Sequence, residues 1–378
     1  MLQICTSKSW GGMEMHVGFL SRKLRQRGHQ ILAMCSPDSP LEKDFRESGF
    51  EPYPLPLFGY FHPAGIYKLC RFLQQHPVDL IHSHYSRDLW TIVPALALLA
   101  KTNKIPLVLT KHIGTGKAKR DWLHQFLYKR VDFVIAISEI IRRNLIATHP
   151  ISSNQVGVIH HGIDPLEFSL EIVSDRSLRS EWGFSGEDIV FGTIGRLQIG
   201  KGYLEFLEMA QRLSRQMPQA KFLIVGEATR GEPEQAELIL RRIKEFELEA
   251  VVKLAGFRKD IPRTLAAMDV FVFPSHAEAF GMVVIEAMAA RKPVIASNSD
   301  GILDMIIHEQ NGILTPPREV EALTAACCRL AENSELRKRL GAAARQTAME
   351  KFTVSRMLDE LEAIYDRVRF LRTLSINL

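Results

Sequence analysis

The stretch Val270-Phe271-Val272-Phe273-Pro274-Ser275-His276-Ala277-Glu278-Ala279-Phe280-Gly281-Met282-Val283-Val284-Ile285-Glu286-Ala287-Met288 decides how the chain is read. Four apolar residues, Val270 to Phe273, make a strand ended by a proline, and a helical pattern opens near Phe280. A helix starting there aims its free N–H groups at whatever lies before Glu278, which makes an anion site. Glu286 falls about two turns further along, toward the other end of such a ligand. Upstream, a strand at 189–194 runs into Gly195-Arg196-Leu197-Gln198-Ile199-Gly200-Lys201-Gly202, a glycine-rich turn with two fixed positive charges. Carboxylates for hydroxyls and cations for phosphates, on the same half of the chain, suggest a nucleotide-sugar site.

Working outward, short apolar strands alternate with longer helical patterns along the whole chain, which argues βαβ units and parallel sheets. Strands are expected at 2–5, 30–35, 80–82, 107–110, 133–137 and 156–159, then at 189–194, 221–225, 251–255, 270–273 and 294–296. A length of 378 residues suits two domains better than one core. The boundary is placed near Gly162-Ile163-Asp164-Pro165. Residues 1–165 form the acceptor-side domain and 166–354 the nucleotide-sugar domain, and a last helix, 355–378, is expected to cross back onto the first. The expected architecture is α/β: two Rossmann-like domains facing each other across a cleft, with ligands at the carboxyl ends of the strands.

Composition narrows the partners. No run of eighteen apolar residues occurs, so no bilayer-spanning helix is expected. The chain enters a strand pattern at Leu2, leaving no room for a signal peptide, so a cytoplasmic location is expected. Cys5, Cys35, Cys70, Cys327 and Cys328 show no Cys-x-x-Cys spacing and read as reduced thiols. The net charge of +5 hides an asymmetry. Residues 1–165 carry 20 Lys+Arg against 12 Asp+Glu, and the remainder 28 against 31. The basic first half should meet something anionic, either membrane headgroups or a phosphorylated acceptor. The bases are scattered and form no DNA- or RNA-binding motif, so nucleic acid is not expected.

Residues 195–202 nearly match the P-loop pattern G-x-x-x-x-G-K-[ST], but Gly202 stands where a Mg²⁺-binding hydroxyl belongs, which argues against an ATPase or GTPase. What remains is a phosphate cradle using Arg196 bidentately and Lys201 as a point charge. No Asp-x-Asp occurs and no metal-ligand spacing is present. A departing pyrophosphate should therefore be neutralised by protein cations and helix N-termini, with no metal or other cofactor. Gly11 and Gly12 follow the first strand and open a helix, so backbone can approach a ligand there. The third glycine of the dinucleotide fingerprint is missing, which argues against a nicotinamide enzyme. His112 ends a strand and so should face the cleft, whereas His82 and His84 read as cleft-lining or core histidines. The segment 117–130 mixes bases with Trp122, Phe126 and Tyr128. It reads as a crossover helix with its aromatics packed on the sheet, and an anionic membrane surface is the competing reading.

These residues together resemble a retaining glycosyltransferase of family 4, one of the group 1 glycosyltransferases with the GT-B fold. The resemblance runs over nearly the whole chain and is most specific at Glu278-x7-Glu286 and at Gly195-Arg196 with Lys201-Gly202. Gly11-Gly12-Met13-Glu14, His112, Ala136-Ile137-Ser138-Glu139 and His161-Gly162-Ile163-Asp164 support it. The resemblance implies that Arg196 and Lys201 bind the donor diphosphate, that Glu278 contacts donor-sugar hydroxyls and that Glu286 holds the ribose. Backbone around Phe280, Gly281 and Met282 would touch sugar and phosphate, Gly12 would approach the diphosphate, and His112 would bond the sugar near the reacting carbon. Gly256-Phe257-Arg258 resembles the segment that reads the base. The family commonly shows Gly-Gly-x-x-Glu after the strand at 294–296, whereas this chain has Asp300-Gly301-Ile302-Leu303-Asp304. No role is carried over to those positions.

The expected function is transfer of a sugar from a nucleoside-diphosphate sugar, UDP favoured, with retention. The acceptor would be a glycan, a lipid-linked glycan or a small molecule, in lipopolysaccharide, polysaccharide or glycolipid biosynthesis, with peripheral association with the inner leaflet. A nucleotide-sugar epimerase or hydrolase on the same fold is the alternative, followed by a nucleotide-binding protein without turnover.

Overall fold

Short runs rich in β-branched, leucine and aromatic residues make the strands, and several of them, such as Leu2–Cys5, Leu107–Lys111, Val270–Phe273 and Val294–Ser297, are buried along their length. In the computed structural model, which describes residues 1–57, 59–60, 62–99, 105–228 and 232–374, these strands form two parallel sheets. The first contains β1 (Leu2–Cys5), β2 (Leu32–Cys35), β3 (Tyr53–Pro54), β4 (Ile81–Ser83), β5 (Leu107–Lys111), β6 (Phe133–Ala136) and β7 (Val156–Val158), in the order β3-β2-β1-β4-β5-β6-β7. The second contains β8 (Ile189–Ile194), β9 (Ala220–Val225), β10 (Val252–Leu254), β11 (Val270–Phe273), β12 (Val294–Ser297) and β13 (Ile313–Thr315), in the order β10-β9-β8-β11-β12-β13. In both, strand order reverses beside the first strand, between β1 and β4 and between β8 and β11. Crevices for ligands open at the carboxyl ends of the strands on either side of such a reversal.

The chain divides into two compact units, Met1–His160 with Leu358 onward, and His161–Met357. The last helix, Val354–Leu374, begins in the second and continues in the first. Residues 375–378 of the expected final helix lie outside the described residues. Within the first unit this helix is locked by polar contacts: buried Tyr365 bonds His82 Nδ1 at 2.7 Å, and Arg27 reaches Asp359 at 2.6 Å and Glu362 at 2.7 Å.

Helical faces follow the spacing of their apolar residues. Helix Tyr203–Gln216 buries Tyr203, Phe206, Leu207, Met209, Ala210 and Leu213, spaced to fall on one stripe. That stripe packs with Phe191, Phe222 and Ile224 of the second sheet. Each such large side chain contributes about 1.5–3 kcal/mol, so Phe206→Ala would cost about 3–5 kcal/mol. Two strands escaped the sequence pattern. β3 has two residues and β13 three, both at sheet edges, and pairing with a neighbour rather than local propensity makes them.

One reading of the aromatic segment needs correction. In helix Trp122–Lys129, Leu127 and Tyr128 are buried, but Trp122 is 74% exposed and Phe126 50%. The helix has only eight residues, so its buried stripe holds only one of the three aromatics. No helix among the described residues is long and apolar enough to cross a membrane.

Candidate active site

In the second unit, the turns after β8 and β11 flank the reversal and are stitched together. Gly200 O accepts from His276 N at 2.9 Å and from Ser275 Oγ at 3.3 Å. Gly202 caps helix Tyr203–Gln216 with φ 78°, in the left-handed region. A Cβ there would lie 2.0 Å from Pro274 O, so glycine is required both by conformation and by the approach of the second turn. Tyr203 Oη closes the loop on Gly195 O at 2.6 Å.

This bracing sets the side chains. Lys201 Nζ meets Glu278 Oε2 at 2.5 Å, both side chains partly buried, which holds the ammonium over the crevice. Arg196 is exposed and has no ion pair among the described residues. Helix Met282–Ala289 begins after Gly281, itself left-handed at φ 97°, and no side chain caps it. Its first turn therefore offers N–H groups and the positive end of the helix dipole to an anion. Phe280 is buried with its ring 5.5 Å from that of His161 and 6.1 Å from that of Phe352, so it anchors the turn from below.

Glu286 is half-buried and has no hydrogen-bond or ion-pair partner among the described residues. Burial, then repulsion from Glu167, pushes its carboxyl up to about 7. A carboxylate left so is placed for hydroxyl donors from outside the chain. Arg258 is engaged differently: it forks onto Asp260 at 2.8 and 2.6 Å and lies 5.6 Å from the Trp182 ring.

Asp300 and Gly301, which carried no expected role, shape this turn. Gly301 N donates to Glu278 O at 2.9 Å, and the Asp300 carboxylate accepts from Glu278 N at 3.3 Å. Asp300 sits at φ 47°, a conformation that aspartate tolerates better than most side chains. The departure from Gly-Gly therefore preserves the loop contact. His276, bonded to Glu205 at 2.8 Å, was also missed; only the tertiary approach of the two turns reveals it.

In the first unit, the turns after β1 and β4 are joined by Asp88, which accepts from Thr6 N at 3.1 Å and from Thr6 Oγ1. Burial raises this carboxyl to about 7, partly offset by the Thr6 bonds. Gly11 precedes and Gly12 opens helix Gly12–Gln26. A Cβ at Gly12 would meet nothing, so no packing within the chain demands glycine there. His112 is buried just beyond β5, its ring 5.4 Å from His16 and 5.9 Å from His84. Burial holds His16 and His82 well below the usual imidazole range. His82, bonded to Tyr365 and to Thr110 at 2.7 Å each, is a core histidine.

Of the two parallel α/β units, the second thus carries a cation-lined turn and an uncapped helix start at its strand reversal, a candidate site for an anionic ligand. Residues 174–347 match the family described as glycosyl transferases group 1, and residues 10–166 match glycosyltransferase family 4. The chain belongs to these family 4, group 1 glycosyltransferases and has their GT-B fold. It is 27% identical to the phosphatidyl-myo-inositol mannosyltransferase of Mycolicibacterium smegmatis, covering 86% of this chain and 83% of that one. It is 24% identical to the N-acetyl-alpha-D-glucosaminyl L-malate synthase of Bacillus anthracis, covering 92% and 91%. HepE of Anabaena, solved with UDP and glucose, superposes with a TM-score of 0.80 at 24% identity, over 97% of this chain and 98% of that one.

Proposed function

We propose that this glycosyltransferase moves a sugar from a UDP-sugar to an acceptor hydroxyl with retention at the anomeric carbon. The observation that carries the reading is the Lys201–Glu278 pair with Arg196, which makes no ion pair among the described residues, at the strand reversal and in front of an uncapped helix. HepE, solved with UDP and glucose, supports the choice of base. The acceptor is a glycan or lipid, in lipopolysaccharide, polysaccharide or glycolipid biosynthesis. The mannosyltransferase relative, whose name carries a phosphatidyl-inositol, and the basic first half both support that choice, with the enzyme peripheral to an anionic membrane.

Negative charge grows on the diphosphate as its bond to the anomeric carbon breaks. Arg196, Lys201 and the N–H groups at Met282 stabilise that charge in place of a divalent ion. A diphosphate oxygen takes the proton of the acceptor hydroxyl, which attacks from the same face. Glu278 holds Lys201 until the donor arrives and then accepts from sugar hydroxyls. Glu286 accepts from the ribose, Gly11 and Gly12 let backbone approach the diphosphate, and His112 bonds the sugar near the reacting carbon.

The test is turnover of a UDP-sugar. Lys201→Ala and Arg196→Ala should each lower it by about 10²-fold, the usual effect of losing a charge-stabilising donor. Near-normal rates in both variants would count decisively against the assignment. A new sugar nucleotide formed without any acceptor would point to an epimerase instead.

A further inference from the structure

Away from the donor residues, Lys111, Lys119 and Arg87 of the first unit make no ion pair among the described residues, although the charge of Arg87 also acts on buried Asp88 beside it. Lys111 ends β5 and is 8% exposed, and its ammonium donates to a neutral partner, Ser86 Oγ, at 3.2 Å. Burial, then the charge of Lys119, lowers it to about 8. Burial lowers His149 to about 3, with Lys111, Lys119 and His124 adding to the effect, so the positive field is shared by the surrounding elements. Arg87, next to Ser86, is exposed, with its guanidinium 5.0 Å from the Tyr60 ring and 5.5 Å from the Tyr85 ring. Asp121 is already engaged by Leu123 N, His124 N and His124 Nδ1. Buried charges are ordinarily paired, because leaving water uncompensated is costly. A lysine enclosed without a counter-charge is a site waiting for an anion.

Its position fits a ligand. Lys111, Lys119 and Arg87 stand at or after the carboxyl ends of β4 and β5, the ligand side of such a sheet. Tyr60, after β3, meets Trp90 at 5.7 Å, and Trp90 meets His124 at 5.7 Å, so ring faces border the cations. Three cations without an ion pair among the described residues suit a phosphate, which carries about −1.5 to −2 at neutral pH, better than a single carboxylate. A flat bilayer surface would not reach a lysine as enclosed as Lys111.

We propose that Lys111, Lys119 and Arg87 form an acceptor subsite for a phosphate group, with Tyr60 and Trp90 packing against the uncharged part of that acceptor. The proposal rests on the transferase reading above. It is tested by calorimetric titration of glycerol 3-phosphate into the full chain saturated with UDP, so that the donor cations are occupied. Wild type should bind the phosphate and not glycerol. Lys111→Met, Arg87→Gln and Lys119→Gln should each weaken binding about tenfold, as for one charged hydrogen bond, with UDP affinity within twofold of wild type. Arg87 and Lys119 lie nearer the surface, so their double variant decides the matter even where Lys111→Met fails to fold. Unchanged phosphate affinity in that double variant, or no binding by wild type, overturns the proposal. So does unchanged phosphate affinity alongside weaker attachment to phosphatidylcholine–phosphatidylglycerol vesicles, which would assign the patch to a membrane. Failure of wild type to bind UDP sinks the transferase reading instead, and the subsite is then decided by the Arg87 and Lys119 double variant, which leaves the donor cations unchanged.

Discussion

Glu286 should make donor binding release protons. Its carboxyl stands at about 7 because burial, then Glu167, disfavours the charged form. At that value about three quarters of the free protein carries the proton at pH 6.5, and about a tenth at pH 8. Ribose hydroxyls donate to the ionised carboxylate, so a bound donor draws the value down. UDP-glucose, whose diphosphate has no proton to exchange near neutrality, should therefore release about 0.7 proton per molecule bound at pH 6.5 and about 0.1 at pH 8. Calorimetry in buffers of different ionisation enthalpy reads this number, and Glu286→Gln should release none at either pH. The same shift bears on stability. An acid raised in the folded chain holds its proton more tightly there than when unfolded, so it costs nothing below about pH 4.5, where both states are protonated. The cost grows as pH rises toward 7 and is complete above it. At about 1.36 kcal/mol per unit the ceiling is about 3 kcal/mol, and residual solvent contact reduces it to about 1–2 kcal/mol. Glu286→Gln should accordingly gain on wild type in urea denaturation between pH 5 and pH 8. Equal proton release by wild type and the glutamine variant would refute the placing of Glu286 at the ribose.

Two further outcomes follow from the bracing of the second unit. Gly202→Ala sets a Cβ 2.0 Å from Pro274 O at a φ of 78°. The left-handed conformation alone costs about 1–2 kcal/mol, so the melting temperature should fall and UDP affinity should drop about tenfold or more as the two turns separate; unchanged affinity would show that the turns do not act together. Asp269 pairs with Arg179 at 2.8 Å and Arg176 at 2.5 Å and accepts from Val190 N at 2.9 Å. Asp269→Ala should cost about 3 kcal/mol in denaturation, because the enclosed Arg179 loses its counter-charge; a loss below about 1 kcal/mol would mean that solvent already screens the pair.

Much of the architecture could be read from residue order alone. The runs at Val270–Phe273 and Ile189–Ile194 are apolar and end at proline and glycine, and both are strands with the same bounds in the structure. Periodicity does not report strands of two or three residues, so β3 and β13 were invisible. Local sequence also showed which side chains bear charge at the candidate site, because Arg196, Lys201, Glu278 and Glu286 all stand just beyond strands or on the helix that follows. It could not show what those groups meet. The bond from His276 to Gly200, the Asp300 contact with Glu278 N and the bond from Lys111 to Ser86 all depend on segments far apart in the chain. The packing direction of Trp122 was misread for a related reason. An eight-residue helix has too few turns for its pattern to reveal which aromatics turn inward.

The C-terminal helix gives the first unit a history as well as a shape. Its residues from Leu358 onward complete that unit by seating Tyr365 against His82. During synthesis, the segment up to His160 emerges with His82 and the base of β4 uncovered, and it stays so until nearly two hundred more residues have been made. A chain ending at Met357, with the second unit complete, should be more readily cleaved by protease in its first 160 residues than in that second unit, although the ribosome finished the former long before.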